Sequence, residues 1–319
     1  MARNDPIQQR RGPVPAAIGP PRAASLAARA RRQSWATAYI LLAPALVGLA
    51  VFRLYPIALA VWGSLHTSTF GAGAQRVFVG LDNYANLLRD TRFHAAVGRT
   101  LAYTVLAVAL PVLLGTIAAV FFHRDFPWRG FFRGIFVLPM MATPVAIALV
   151  WTMMFHPQLG VLNYLLSLVG LPPSLWVYAP NTVIPALVLV ETWQWTPLVM
   201  LIVLGGLAAM PTEPLESAVV DGASPWRVLR DITLPLTLPF IMVAVVLRAI
   251  DALKAFDTIF TITQGGPGTA SETINIYLYL QAFSFFRIGH ASAVVVVFFL
   301  LIVALAVGLL LVRQRTKWA

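Results

Sequence analysis

Residues 290–312, HASAVVVVFFLLIVALAVGLLLV, carry no formal charge and are apolar almost throughout. A helix needs about 20 such residues to cross the hydrocarbon core of a bilayer. Five further stretches meet that requirement, roughly 37–63, 100–122, 134–155, 182–208 and 236–262. In hydrocarbon the backbone must satisfy its own hydrogen bonds, so only helices and closed barrels span it. Runs this long, without polar alternation, specify helices. The expected fold is therefore an all-α membrane protein with six transmembrane helices. Composition agrees, since only 11% of residues are charged and 59% are hydrophobic, against about 25% charged in a soluble domain.

The net charge of +11 would suit a nucleic-acid binder, but its placement argues against one. Seven arginines (Arg3, Arg10, Arg11, Arg22, Arg29, Arg31 and Arg32) crowd the first 35 residues against one acid, Asp5. Segment 1–35 is rich in Pro, Ala and Gly and has no apolar period. It is expected to be a disordered basic cytoplasmic tail resting on anionic lipid, with 36–319 as the membrane domain. No short apolar stretch with a small-residue cleavage site precedes the first span, so no removable signal peptide is expected. Placing both termini in the cytoplasm gives that side 15 Lys and Arg residues; the other side receives four, Arg76, Arg89, Arg92 and Arg287. That is the favoured orientation, and it makes the polar insert at about 210–235 cytoplasmic as well. Prolines at Pro44, Pro56, Pro111, Pro139, Pro144, Pro185 and Pro197 fall in or beside the spans. Such breaks suit a packed, kinked bundle whose neighbours satisfy the freed backbone groups.

The insert reads EPLESAVVDGASPWRVLRDITLPLTLP over 213–239. Apolar residues recur in steps of three and four at Leu215, Ala218 and Val219, and again at Trp226, Leu229 and Ile232, so each half is expected to be a short amphipathic helix. Gly222 interrupts the pattern where a left-handed turn would need glycine. Ser224 followed by Pro225 predicts an N-cap and first turn. The Leu234–Pro235 and Leu238–Pro239 steps are expected to turn the chain into the next span. From physics alone, an interfacial amphipathic connector is an equal reading.

Glu216-Ser217-Ala218, Asp221-Gly222-Ala223 and Ile232-x-Leu234-Pro235 together resemble the EAA loop of bacterial ABC-importer permeases. Ser217 stands where that family usually has Ala, and Leu229 where it often has Phe. Further stretches resemble the maltose-type, sugar-importing branch: Phe52-Arg53-Leu54-Tyr55-Pro56, Val79-Gly80-Leu81-Asp82-Asn83-Tyr84, Phe256-Asp257, Thr263-Gln264-Gly265-Gly266-Pro267, Thr273-Ile274-x-x-Tyr277, and Gly289-His290-Ala291-Ser292-Ala293. Arg53 departs from the uncharged residue usual there. The resemblance implies the type I importer permease fold in a bacterial cytoplasmic (inner) membrane. It also implies partners: a second homologous permease, an ATPase dimer that binds ATP and Mg, and an extracytoplasmic substrate-binding protein. Glu216, Ser217, Ala218, Asp221, Gly222, Ala223, Trp226 and Leu229 would then form the ATPase-coupling surface, with the Trp226–Leu229 stripe seated in the partner and Glu216 paired to a cation on it.

Candidate substrate-path residues sit inside the spans. Arg248, Asp251, Lys254 and Asp257 recur every three residues in the fifth apolar stretch. Intramembrane charges are costly and face partners or aqueous paths. Mutual neutralisation, Arg248 with Asp251 and Lys254 with Asp257, competes with a role in lining the path. Glu191, Trp193, Gln194 and Trp195 precede Pro197, and an indole beside an amide and a carboxylate suits a sugar ring, although aromatic packing round one buried acid is the plainer alternative. The family resemblance points in particular to Gln194, Trp195, Asp251 and Lys254.

The remaining motifs exclude more than they assign. The chain has no cysteine, which rules out disulfides and thiolate chemistry. Its only lysines are Lys254 and Lys317, so no phosphate-binding G-x-x-x-x-G-K-[ST] loop exists and ATP hydrolysis needs another chain. Gly265-Gly266-Pro267-Gly268 is expected to be a turn. His66, His94, His123, His156 and His290 lack ligand spacing, so no metal is expected. Asp82 is expected to cap a short surface helix. Polyol or glycerol-phosphate import on the same architecture stays open as an alternative. A proton-coupled carrier would explain the acids in the spans but would not need the EAA-like insert.

Overall fold

The computed structural model describes residues 39–67 and 76–315. The expected basic tail lies outside them. The chain divides into two compact units at Leu59. In the first unit the chain is already helical: it holds most of α1 (Tyr39–Ser64), which widens to π-helix at Ala50–Leu54 two residues before Pro56. The same spacing recurs at Leu229–Thr233 before Pro235. A proline ring clashes with the carbonyl four residues back, and a widened turn relieves the clash.

In the second unit a two-stranded antiparallel hairpin, β1 (His66–Thr67) and β2 (Val77–Phe78), pairs His66 with Phe78. It leads to α2 (Asp82–Arg89), which starts on Asp82 itself rather than being capped by it. α2 is a surface helix with one buried face: Asp82, Ala85, Asn86, Leu88 and Arg89 are exposed, Leu87 and Asn83 are buried, and the Asn83 amide donates to the Ser64 and His66 carbonyls at 2.8 and 3.1 Å.

The long helices follow: α3 (Thr91–His123), α4 (Arg129–Val137, continued as a tighter turn to Met141), α5 (Pro144–Met154), the short α6 (Val161–Leu168) and α7 (Val183–Ala208). The insert gives α8 (Glu213–Val220). Then come α9 (Pro225–Leu253), α10 (Asp257–Thr263), α11 (Ile274–Tyr279) and α12 (Ile288–Arg315). Among the described residues five helices (α1, α3, α7, α9 and α12) are long and apolar enough to cross a bilayer, and the bent pair α4–α5 makes a sixth if counted as one span.

Three expected spans differ. The second begins earlier, at Thr91, because the Asp90 carboxylate caps it, accepting from the Arg92 and Phe93 amides at 2.8 and 3.2 Å. The third is broken: 129–141 and 144–154 meet at 96°. Thr143, ahead of Pro144, is extended at ψ 143°, as steric crowding before proline requires. The fifth ends at Leu253 instead of running to 262. There the Asn275 amide takes the Lys254 carbonyl at 2.7 Å, so the helix end is satisfied and α10 starts afresh. Asp257 therefore lies on a different helix from Arg248 and Asp251. The expected turn into the fifth span is also absent, since α9 runs unbroken from Pro225 in the insert.

The core is built on α3 and α7, which pack side by side in parallel. Tyr103 and Ala107 meet Val183, Leu187 and Val190 near one end, and Ala119 and Phe122 meet Val199, Val203 and Leu207 near the other. Helix α9 runs the opposite way, placing Ala244 in the second cluster and Leu253 beside Phe93 and Ala96. Helices α3 and α7 meet tightly at Gly115, where an added Cβ would lie 2.6 Å from the Val199 Cβ and 2.9 Å from the Thr196 carbonyl oxygen. Gly115→Ala is expected to cost about 1–3 kcal/mol by overpacking. Gly98→Ala, which meets nothing within 4 Å, should be neutral or stabilising. Thermal unfolding in detergent compares the two, and equal Tm values would mean the α3–α7 contact is not tight.

Candidate functional site

The insert is an exposed elbow with a built corner. Helix α8 ends in a Schellman turn: the Ala223 amide donates to the Ala218 carbonyl at 2.9 Å and the Gly222 amide to that of Val219 at 3.0 Å. The turn needs a left-handed residue after the C-cap, and Gly222 supplies it at φ 74°. The Ser224 hydroxyl then accepts from the Arg227 amide at 3.4 Å, with Pro225 opening α9. Sequence reasoning anticipated both positions.

It anticipated the apolar faces less well. Ala218 is buried and Leu215 half-buried, but Val219 and Val220 are exposed, Val220 at 86%. Trp226 is 68% exposed, whereas Leu229 turns inward. With Val219, Ala223 and Val228 it lines a cavity of about 290 Å³ against Val120, His123 and Arg124 of the α3 end and Leu207 of α7. Trp226 and Leu229 thus do not form one outward stripe. Glu216, Ser217, Asp221 and Gly222 are exposed, and no described cation pairs with Glu216.

All seven expected path residues meet at one cavity of about 350 Å³. Glu191, Gln194 and Trp195 come from α7, Arg248 and Asp251 from α9, Lys254 from the break and Asp257 from α10, with Pro144, Phe256 and Thr258 completing the wall. Neither expected charge pairing occurs. The buried Arg248 guanidinium donates through Nη2 to Glu191 Oε1 on the neighbouring helix and lies 4.8 Å over the Trp195 ring. Lys254 pairs with Asp251 at 3.6 Å, both side chains about half-exposed. Among the described residues Asp257 has no ion pair. Arg248 Nε and Nη1 and Gln194 Oε1 are buried without a hydrogen-bond partner, so the wall keeps unused donors and an acceptor. Trp193 points elsewhere, edge-on to Trp151.

A second polar cluster, at the opposite end of the bundle from the insert, was not foreseen. The buried Glu272 carboxylate accepts from Arg92 Nη2 at 2.7 Å and Nε at 2.8 Å, and its carbonyl accepts from Arg99 Nε at 2.8 Å. Tyr277 donates its hydroxyl to Asp90 at 2.6 Å and shares a hydrogen bond with His290 at 2.9 Å. Burial alone would raise Asp90, but the Tyr277 hydroxyl and the Phe93 and Arg92 amides outweigh it and hold the carboxyl below its usual range. The signal in the sequence was Glu272 itself, the only acid after Asp257.

Two outcomes are expected. Removing one partner of a buried ion pair typically costs about 3–5 kcal/mol, whereas replacing both with apolar residues is often neutral. Arg248→Met should therefore lower Tm strongly and Glu191→Leu/Arg248→Met recover most of the loss in detergent melts. Asp90, with a depressed folded pKa, contributes stability that is complete above the unfolded carboxyl value of about 3.9 and is lost as pH falls through the folded value. Asp90→Asn should flatten the acid limb of a Tm–pH curve; an unchanged limb would show that Asp90 does not set it.

Comparison with known proteins places the chain. It is 36% identical over 238 residues to the probable ABC transporter permease protein y4oQ of Sinorhizobium fredii, covering 75% of this chain and 77% of that one. It is 33% identical over 273 residues to the trehalose/maltose transport system permease protein MalF of Thermococcus litoralis, covering 84% and 90%. In fold it matches a chain of the bacterial alginate ABC transporter crystallised with an alginate pentasaccharide-bound periplasmic protein, with a TM-score of 0.79 at 22% identity over 91% of this chain and 98% of that one. Residues 111–317 match the binding-protein-dependent transport system inner membrane component family. The protein belongs to that family: it is a multi-pass inner-membrane permease of the type I ABC importer fold.

Proposed function

We propose that this permease carries a neutral sugar or oligosaccharide into the cytoplasm, past the cavity of Glu191, Gln194, Trp195, Arg248, Asp251, Lys254 and Asp257. The observation that carries this reading is the convergence of those seven side chains, from three helices and the break between two of them, on one cavity. Hydroxyl-rich solutes suit such a wall because each polar group there makes several hydrogen bonds, and the Trp195 ring offers an apolar face to a pyranose. The cations are already matched, Arg248 by Glu191 and Lys254 by Asp251. That favours an uncharged solute over a phosphate ester. The trehalose/maltose permease among the relatives supports the same class.

In this reading both termini and the α8–α9 elbow face the cytoplasm. A separate ATPase dimer, binding ATP and Mg, docks on the elbow through Glu216, Asp221 and the exposed Val219, Val220 and Trp226. A second, homologous permease closes the passage, and an extracytoplasmic binding protein delivers the solute.

Reconstituted vesicles with labelled trehalose and maltose test the assignment. Uptake should need ATP, stop with vanadate and survive a proton uncoupler. Glu216→Ala should cut uptake at least tenfold while ATP hydrolysis continues, since losing one member of a desolvated charge pair costs about 2–5 kcal/mol. Gln194→Ala and Asp251→Asn should lower uptake without altering assembly. Wild-type transport in all three variants would move both sites elsewhere.

A further inference from the structure

An apolar groove of about 830 Å³ runs between α3, α4 and α7, away from the polar cavity. Ile117, Phe121, Ile135, Phe136, Pro139 and Trp193 are among its walls. Leu114, Ile117, Ala118, Phe121 and Phe122 recur every three or four residues on one face of α3, so the groove follows that helix for about two turns.

Its end at Phe122 is basic. Arg133 donates Nη2 to the Phe122 carbonyl at 3.1 Å, and its Nε is buried with no partner. Arg129 donates to the His123 and Arg124 carbonyls at 3.4 and 3.3 Å and pairs with Asp125 at 2.6 Å. Arg124 is exposed and has no ion pair among the described residues. Three arginines against one aspartate leave a surplus of two positive charges. Beside them Trp128 occupies the left-handed region at φ 64°, a costly conformation for a bulky residue. It thereby holds its indole outward, 77% exposed. Phe131 and Phe132 are exposed on the next turn. Exposed Trp and Arg at the end of an apolar surface is the arrangement proteins adopt at the level of lipid headgroups.

We propose that this groove is a binding site for an anionic phospholipid, one acyl chain lying along α3 and the phosphodiester drawn to its basic end by Arg129 and Arg133. The charge surplus selects an anionic headgroup over a zwitterionic one. A covering apolar helix would leave the positive surplus of segment 124–133 unmatched, whereas a phosphodiester beside Arg129 and Arg133 offsets it. The inference is independent of the transported solute, since none of the seven residues of the polar cavity lines the groove.

Native mass spectrometry of the full-length protein in mild detergent tests it, with palmitoyl-oleoyl phosphatidylglycerol and the phosphatidylcholine of the same chains as probes. Phosphatidylglycerol should be retained in preference. Occupancy should fall about fivefold for each of Arg129→Gln and Arg133→Gln. Ile117→Trp, which fills the groove and spares the arginines, should abolish retention. In the unaltered protein, phosphatidylglycerol with a photoreactive acyl chain should label peptides holding Ile117 and Phe136. Equal retention of the two lipids, labelling confined to other helices, or displacement by inorganic phosphate would each overturn the proposal. So would a cross-linker at position 117 that captures a protein helix instead of lipid.

Discussion

The Glu191–Arg248 pair is the interaction on which the arrangement of this permease turns. Each charge alone would be intolerable in the middle of a bundle bounded by hydrocarbon. Together they fix the rotation of α7 about its axis relative to α9, because the carboxylate and guanidinium must meet. That rotation is what turns Gln194 and Trp195 to the same wall as Asp251 and sends Trp193 to the opposite face, against Trp151. The pair leaves two guanidinium nitrogens unmatched, so polarity survives at the cavity wall after the structural demand has been met.

Much of this was legible in the sequence, and the legible parts share a cause. Apolar run length decides span from loop, so the locations of the main helices followed directly. Gly222, Ser224 and Pro225 act through their own backbone geometry, and all three take the local conformations their chemistry predicts. What the sequence concealed is non-local. The spacing of Arg248 and Asp251 suggested a pair within one helix, yet the partner of Arg248 lies 57 residues away. The end of α9 depends on the Asn275 amide 21 residues downstream, so an apolar stretch that reads as one span becomes two helices. The break at Thr143–Pro144 was readable locally, from the pre-proline constraint; Pro144 was expected to kink the third span, and it divides that span into two helices at 96°.

The cluster round Glu272 shows the same limit from another side. Arg92 and Arg99 sit at the start of α3 and count, by position alone, as loop or span-edge charges. Folding brings the loop after α10 back over them, so that one carboxylate and its own backbone carbonyl engage both arginines. Tyr277 closes the loop onto the α3 cap at Asp90. A lone acid in a long apolar region was the one visible hint, and it identifies a residue in need of a cation without saying which.

The unbroken course of α9 has a mechanical corollary. Trp226 near its exposed start and Arg248 near the cavity belong to one rod, about 33 Å apart at 1.5 Å per residue. A tilt of about 10° at one end sweeps the other by about 6 Å over that length, more than the breadth of a hydrogen bond. The widened turn at Leu229–Thr233 and Pro235 after it sit nearer the exposed end than the middle of the shaft, like the wrist of an oar. Whatever pivots the handle therefore moves the blade, and with it the guanidinium that Glu191 must hold or release.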